Sequence, residues 1–268
     1  MTDNKYVAKS SENSHREFFI SEAYKTIRTN LLFTLSASED NVTLITSYEP
    51  NAGKSITTAN IAITMAQTGA RVLLIDADMR NASQHRVFNI SNTDGLSKLL
   101  SGISKPEDSL FRKGIRPNLD LLTAGPMPPN PSELLGSKNM GKLLDTLRKV
   151  YDYIFIDCPP VGVVSDALSL LAHTKNVTMI VRQRQTRHDD IRHTAESLLS
   201  LDAKILGVVI TDVADEGSLF SGKYGRYGRY GKYGRYGKYG RYGKYGDYVD
   251  SAATKLANPA NTNSGNNK

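Results

Sequence analysis

Short runs of Val, Ile and Leu recur along the first 213 residues, separated by stretches in which apolar residues return every three or four positions. The runs at residues 42–47, 71–76, 119–123, 153–157, 177–181 and 205–211 are nearly continuous in aliphatic side chains. They lack the in–out alternation of a half-exposed sheet, so they predict parallel strands covered on both faces. Helical spacing occupies residues 55–68, 138–149 and 188–201, and a further helix over about 21–34 precedes the first strand. Strand and helix in alternation predict an α/β fold, a doubly wound and mainly parallel sheet.

Beyond these runs the chain becomes a different material. Residues 223–248 repeat a unit of three, Tyr, Gly and a base, which places Tyr224, Tyr227, Tyr230, Tyr233, Tyr236, Tyr239, Tyr242, Tyr245 and Tyr248 at strict intervals. Glycine at every third position costs a helix about 1 kcal/mol each relative to alanine. No aliphatic side chain is present to offset the ordering entropy. The expected organisation is a flexible N-terminus over 1–17, one folded domain over 18–215 and a disordered tail over 216–268.

Charge sharpens that division. The net charge of +7 suggests a basic protein, yet of 34 Lys and Arg eight lie in residues 223–248, and of 27 Asp and Glu only one does, leaving 26 of each elsewhere. The folded part is therefore neutral and the basicity belongs to the repeat. A single cysteine, Cys158, cannot form an internal disulfide and suits a reducing compartment. The polar N-terminus lacks the apolar stretch of a signal peptide, and no apolar run approaches the ~20 residues that span a bilayer. A soluble, cytoplasmic chain is expected.

The candidate chemistry sits where strands end. After the first strand, residues 46–55 read TSYEPNAGKS and lead into an apolar helix. Gly53, Lys54 and Ser55 close a P-loop, in which backbone N–H groups and a helix N-terminus cradle phosphate. The lysine reaches the β- and γ-oxygens and the hydroxyl can bind Mg²⁺. Pro50, Asn51, Ala52 and Ile56 complete the expected nucleotide contacts, and Tyr48 stands where the general pattern has its first glycine. The segment VLLIDADMR ends a second strand with Asp76, Asp78 and Arg80, and YIFIDCPP ends a third with Asp157. Ligands of parallel sheets bind at such carboxyl ends. Three carboxylates converging beside a P-loop predict a Mg²⁺–phosphate site, with Ser55, Asp78 and Asp157 toward the metal.

This set resembles the bacterial tyrosine kinases (BY-kinases) of the CpsD/CapB type, within the MinD/ParA-like P-loop ATPases. GPMPPNPSELL at residues 125–135, SEAYKTIRTNL at 21–31 and the tyrosine cluster extend the resemblance, which covers about residues 17–213. It implies an ATP- and Mg²⁺-dependent protein-tyrosine kinase that phosphorylates its own nine-tyrosine cluster and regulates capsular or exopolysaccharide synthesis and export. Lys54 and Ser55 take the Walker A roles, Asp76 and Asp78 those of Walker A′, and Asp157 that of Walker B, with Asp76 as acceptor of the tyrosine proton. Positioning ATPases of the class usually carry a lysine where this chain has Glu49, a departure that favours the kinase branch. A family Glu-x-x-Arg-x-x-Arg motif of subunit contacts reads Glu22, Lys25 and Arg28, with lysine keeping the charge but not the bidentate fork.

Further implications concern partners. The resemblance implies a ring-like homo-oligomer, a membrane polysaccharide co-polymerase as activator that recruits the chain to the inner face of the membrane, and a cognate phosphotyrosine phosphatase. From residue 211 to Tyr224 the chain spans at most ~40 Å extended, so its own or a neighbour's site lies within reach. Each phosphotyrosine adds about −1.5 to −2 at pH 7, and nine would carry the repeat from +7 to roughly −7 to −11. An alternative reading is a ParA/MinD-like positioning ATPase whose basic aromatic tail binds nucleic acid by stacking and phosphate contacts; the neutral core and Glu49 weigh against it, and no nucleic acid partner is expected. The five histidines lack metal-ligand spacing, Cys158 reads as structural, and Arg182, Arg184 and Arg187 read as a solvated loop.

Overall fold

The computed structural model describes residues 4–38, 40–104 and 110–213; the tail over 216–268 and its tyrosine cluster lie outside them. Seven strands form one sheet: β1 (Val42–Ser47), β2 (Val72–Asp76), β3 (Arg112–Arg116), β4 (Leu119–Leu122), β5 (Tyr153–Asp157), β6 (Asn176–Arg182) and β7 (Lys204–Thr211), in the order β3-β4-β2-β5-β1-β6-β7. Every pairing is parallel except β3 with β4. The helices are α1 (Asn4–Ser36), α2 (Lys54–Ala66), α3 (Gln84–Val87), α4 (Leu96–Leu100), α5 (Pro131–Leu135), α6 (Lys138–Leu147), α7 (Asp166–Ser169) and α8 (His188–Leu199). The expected α/β fold, a doubly wound and mainly parallel sheet, is what forms.

The unbroken apolar runs have their cause in two separate cores. Along β2, Val72 and Leu74 face one core while Leu73 and Ile75 face the other, and along β5 Phe155 opposes Ile154 and Ile156. Leu31 and Leu35 of α1 and Ile61 and Met65 of α2 close the first core, whereas Met140, Leu144 and Leu147 of α6 and Leu198 of α8 close the second. A strand covered on both faces leaves little room for a charged side chain except at its ends. The aspartates 76 and 157 occupy those ends.

The short helices α3, α4, α5 and α7 add to the expected elements, and two further elements differ from expectation. The first helix starts at Asn4, well before the expected start near residue 21; no proline or glycine interrupts residues 4–36, and nothing stops propagation of the helix toward the N-terminus. Strand β3, RKGIR, escapes the apolar criterion because its central residues are exposed at the sheet edge. There Lys and Arg guard the free backbone groups against pairing with another chain. Among the described residues no helix is long and apolar enough to cross a membrane.

Candidate active site

The site is built where β1, β2 and β5 end side by side. Asp76 and Asp157 are register partners across β2 and β5, and β1, pairing with the other edge of β5, delivers the loop of residues 48–53 to the same place. Gly53 caps α2 with φ +81°, a left-handed conformation that its lack of a Cβ permits, and Asn51 adopts φ +60°. These turns bring the N-terminus of α2, with its free N–H groups, to the head of the sheet. Residues 50–56 therefore lie together around that helix end.

Lys54 is buried and points into the carboxylates. Its Nζ lies 2.8 Å from Asp157 Oδ1, 3.7 Å from Asp78 Oδ2 and 3.3 Å from Ser55 Oγ. Burial alone would lower the lysine's pKa, but Asp157 and Asp78 outweigh it and hold the ammonium above its ordinary value. Asp76 is fully enclosed. Its Oδ1 accepts from Asp78 N at 3.2 Å, and its Oδ2 accepts from Ser83 N and Gln84 N at 2.9 Å each. Burial, reinforced by the Asp157 charge, pushes this carboxyl up to about 7 in spite of those N–H groups. Asp78 sits at the rim, where its Oδ1 accepts from Asn81 N at 3.0 Å.

The three aspartates thus converge, but not as a metal cage. Their oxygens are taken by Lys54, by the side-chain amide of Gln84 and by backbone amides, and among the described residues no group of three or more His, Cys, Asp or Glu is placed to hold a metal ion. The donors present nonetheless fit Mg²⁺ arriving with a nucleotide. That ion keeps several waters and takes one or two protein oxygens beside the phosphates, and the Ser55 hydroxyl and the Asp157 and Asp78 carboxylates are hard oxygen donors within one lysine's reach of each other.

Several further residues complete the site, and Gln84, Asp166 and Thr211 among them carry no motif signal. Gln84, fully buried at the start of α3, donates from Nε2 to Asp157 Oδ2 at 2.7 Å and to the Ser55 carbonyl at 3.0 Å. Arg80 makes a two-pronged ion pair with the buried Asp166 of α7 at 2.8 and 3.0 Å, and the Ser132 hydroxyl donates to the same carboxylate. Arg182 is no solvated loop residue. It reaches the Asn51 carbonyl and Asp212 Oδ2 at 3.1 Å each, and braces the phosphate loop from outside. Thr211, at the end of β7, donates from Oγ1 to the Ala52 carbonyl at 2.7 Å. Tyr48, in place of the usual glycine, packs on Gly162, where a Cβ would lie 2.6 Å from its ring. Cys158 is fully buried and unpaired, and burial pushes its thiol up, away from the reactive thiolate.

The residues expected at a subunit contact lie apart, on α1. Glu22 and Lys25 form an exposed ion pair at 2.7 Å, while Arg28 turns inward and donates to the Thr64 carbonyl of α2 at 3.1 Å. The nine tyrosines expected as phosphorylation sites lie outside the described residues.

The sequence profile of a family described as AAA domain matches residues 45–188, from β1 through the start of α8. The chain is 38% identical over 190 residues to the tyrosine-protein kinase YwqD of Bacillus subtilis, a match covering 71% of this chain and 80% of that one. Among solved structures it resembles the kinase domain of the Escherichia coli tyrosine kinase ETK, with 31% identity and a TM-score of 0.71 over 74% of this chain and 77% of that one. The septum site-determining protein MinD of Pyrococcus horikoshii, complexed with Mg-ADP, shares the fold at 22% identity and a TM-score of 0.55, over 63% and 69% of the two chains.

Proposed function

The chain belongs to the family of tyrosine-protein kinases that includes YwqD, and we propose from this that it transfers the γ-phosphoryl group of ATP to the tyrosines of its own C-terminal repeat. The observation that carries the reading is the buried meeting of one P-loop lysine with carboxylates from two other strand ends. In the transfer a bond forms between the tyrosine oxygen and the γ-phosphorus, the bond from that phosphorus to the β,γ-bridging oxygen breaks, and the hydroxyl proton leaves. Such transfer depends chiefly on positioning and charge stabilisation.

Each role follows from a local property. Residues 50–56 bind the phosphates through the N-terminus of α2, and Lys54 exchanges Asp157 and Asp78 for phosphate oxygens. Ser55 and Asp157 would hold Mg²⁺, with Asp78 in support; when bound, the ion neutralises charge on the β- and γ-phosphates. Asp76 accepts the tyrosine proton. Burial raises this carboxyl above the ordinary carboxylate range, toward the basicity such an acceptor needs, whereas a free tyrosine near 10 is little ionised. Access to Asp76 requires the turn over residues 77–84 to release one of its N–H contacts.

Several wider readings belong to the same proposal. Glu22 and Lys25, exposed on α1, suit a contact between copies in a ring-like homo-oligomer, with Arg28 fixing the helix that presents them. Tail phosphorylation then proceeds on a neighbouring copy. A membrane polysaccharide co-polymerase activates the enzyme at the inner face of the membrane, a phosphotyrosine phosphatase reverses its action, and capsule or exopolysaccharide export is the process regulated. Purified full chain incubated with Mg-ATP should acquire phosphotyrosine within residues 224–248, and Lys54→Met should not. Absence of phosphotyrosine even with the activator's cytoplasmic segment present, together with salt-sensitive nucleic acid binding, would overturn the reading.

A further inference from the structure

Six buried side-chain polar atoms lack a hydrogen-bond partner among the described residues, and three of them lie on consecutive residues: Ser83 Oγ, Gln84 Oε1 and His85 Nδ1. Orphaned buried polar atoms are rare because each retains its desolvation penalty. A run of three at the carboxylate cluster therefore calls for a physical explanation, and Gln84 is the member that touches the site.

Its orientation is fixed by chemistry rather than by the similar shapes of oxygen and nitrogen. Both atoms beside the terminal amide nitrogen, the Ser55 carbonyl and Asp157 Oδ2, are acceptors, so the group facing them must be the donor. Oε1 is then the atom left over, one amide's width from Ser55 and Asp157. Gln84 itself is held from behind, since its backbone N–H donates to Asp76 Oδ2. One residue thus ties together the P-loop, the end of β2 and the end of β5.

We propose that Gln84 is a positioning residue for the metal half of the site: Nε2 locks Asp157 and the Ser55 backbone in register, and Oε1 accepts a hydrogen bond from a water on nucleotide-bound Mg²⁺. The inference rests on the kinase reading above. It explains why a fully buried acceptor is left unsatisfied at a place lined with hard oxygen donors. A water carried by a divalent cation is a strong donor, and bonds involving charged groups are stronger than neutral ones. A clamp that only held the fold together would need Nε2 alone, and an orphaned Oε1 would work against it.

The test separates binding of the metal from binding of the phosphates. A fluorescent ADP analogue is titrated into the full chain with and without Mg²⁺, and thermal unfolding of each nucleotide-free variant is followed in parallel. Gln84→Leu should lose some affinity without Mg²⁺, because it frees the Ser55 carbonyl, and should lose about tenfold more of the gain that Mg²⁺ confers, the size of one hydrogen bond to a charged group. Gln84→Asn, which keeps the amide but withdraws it by a methylene, should lose the same gain and decides the matter if the leucine variant does not fold. An equal loss of affinity with and without Mg²⁺ would mean a purely structural role and would overturn the proposal, as would variants that match the wild type. A wild type whose ADP affinity ignores Mg²⁺ would overturn the proposal at its premise, while the kinase reading stands or falls on the phosphotyrosine assay above.

Discussion

Asp76 concentrates the electrostatic strain of the site. Its carboxyl titrates near 7 in the fold and near 3.8 when solvated, so the native state retains a proton that the unfolded chain has released. The contribution of this group to stability is fully present below about pH 4 and is lost as pH rises through about 7. Asp76→Asn cannot titrate, so in metal-free protein its melting temperature relative to wild type should climb between pH 4.5 and 8. An offset that stays constant with pH would show that the carboxyl is not raised. Lys54 is legible in sequence from the Gly-Lys-Ser close of a P-loop, and Asp76, Asp78 and Asp157 because they stand at or just past the ends of apolar runs. Gln84 is not: a lone glutamine has no pattern, and its role arises only from the alignment of Asp76 with Asp157 across two strands distant in sequence.

The P-loop depends on its neighbours as much as on its own residues. Val161 and Gly162 donate to the Ser47 and Tyr48 carbonyls at 2.8 and 3.0 Å, so the loop after β5 fastens the loop after β1. A Cβ on Gly162 would lie 2.6 Å from both the ring and the backbone oxygen of Tyr48. Gly162→Ala should therefore weaken ADP binding by about tenfold or more, and calorimetry measures it. Trimming the ring by Tyr48→Ala should not restore affinity, because the backbone clash remains; full rescue would show that only the ring matters. The central strands could be read from composition because burial on both faces leaves continuous aliphatic runs. Strand β3 could not, since its Arg112, Lys113 and Arg116 serve the sheet edge rather than a core. The reach of α1 to Asn4 was missed because the polar residues 4–17 carry no apolar stripe, and only the absence of breakers hints at helix.

At the scale of the whole molecule, the charge division gives the tail a testable property. Nine near-equivalent tyrosines in one low-complexity repeat make graded modification the natural outcome, with no site indispensable. Any single Tyr→Phe in residues 224–248 should lower total tail phosphate by about one part in nine, read by intact mass. A single substitution that abolishes it all would defeat this view. The hydroxyl of Thr211 on the Ala52 carbonyl has a consequence in time. These residues stand 159 positions apart, so during synthesis at about 5–20 residues per second the phosphate loop waits roughly 8–30 seconds for its last brace. A nascent chain holds Lys54 and Ser55 early yet cannot finish their cradle until nearly the entire folded part has been translated. Closure of the cradle thus falls at the end of synthesis of the folded part, when the tyrosines are next to emerge.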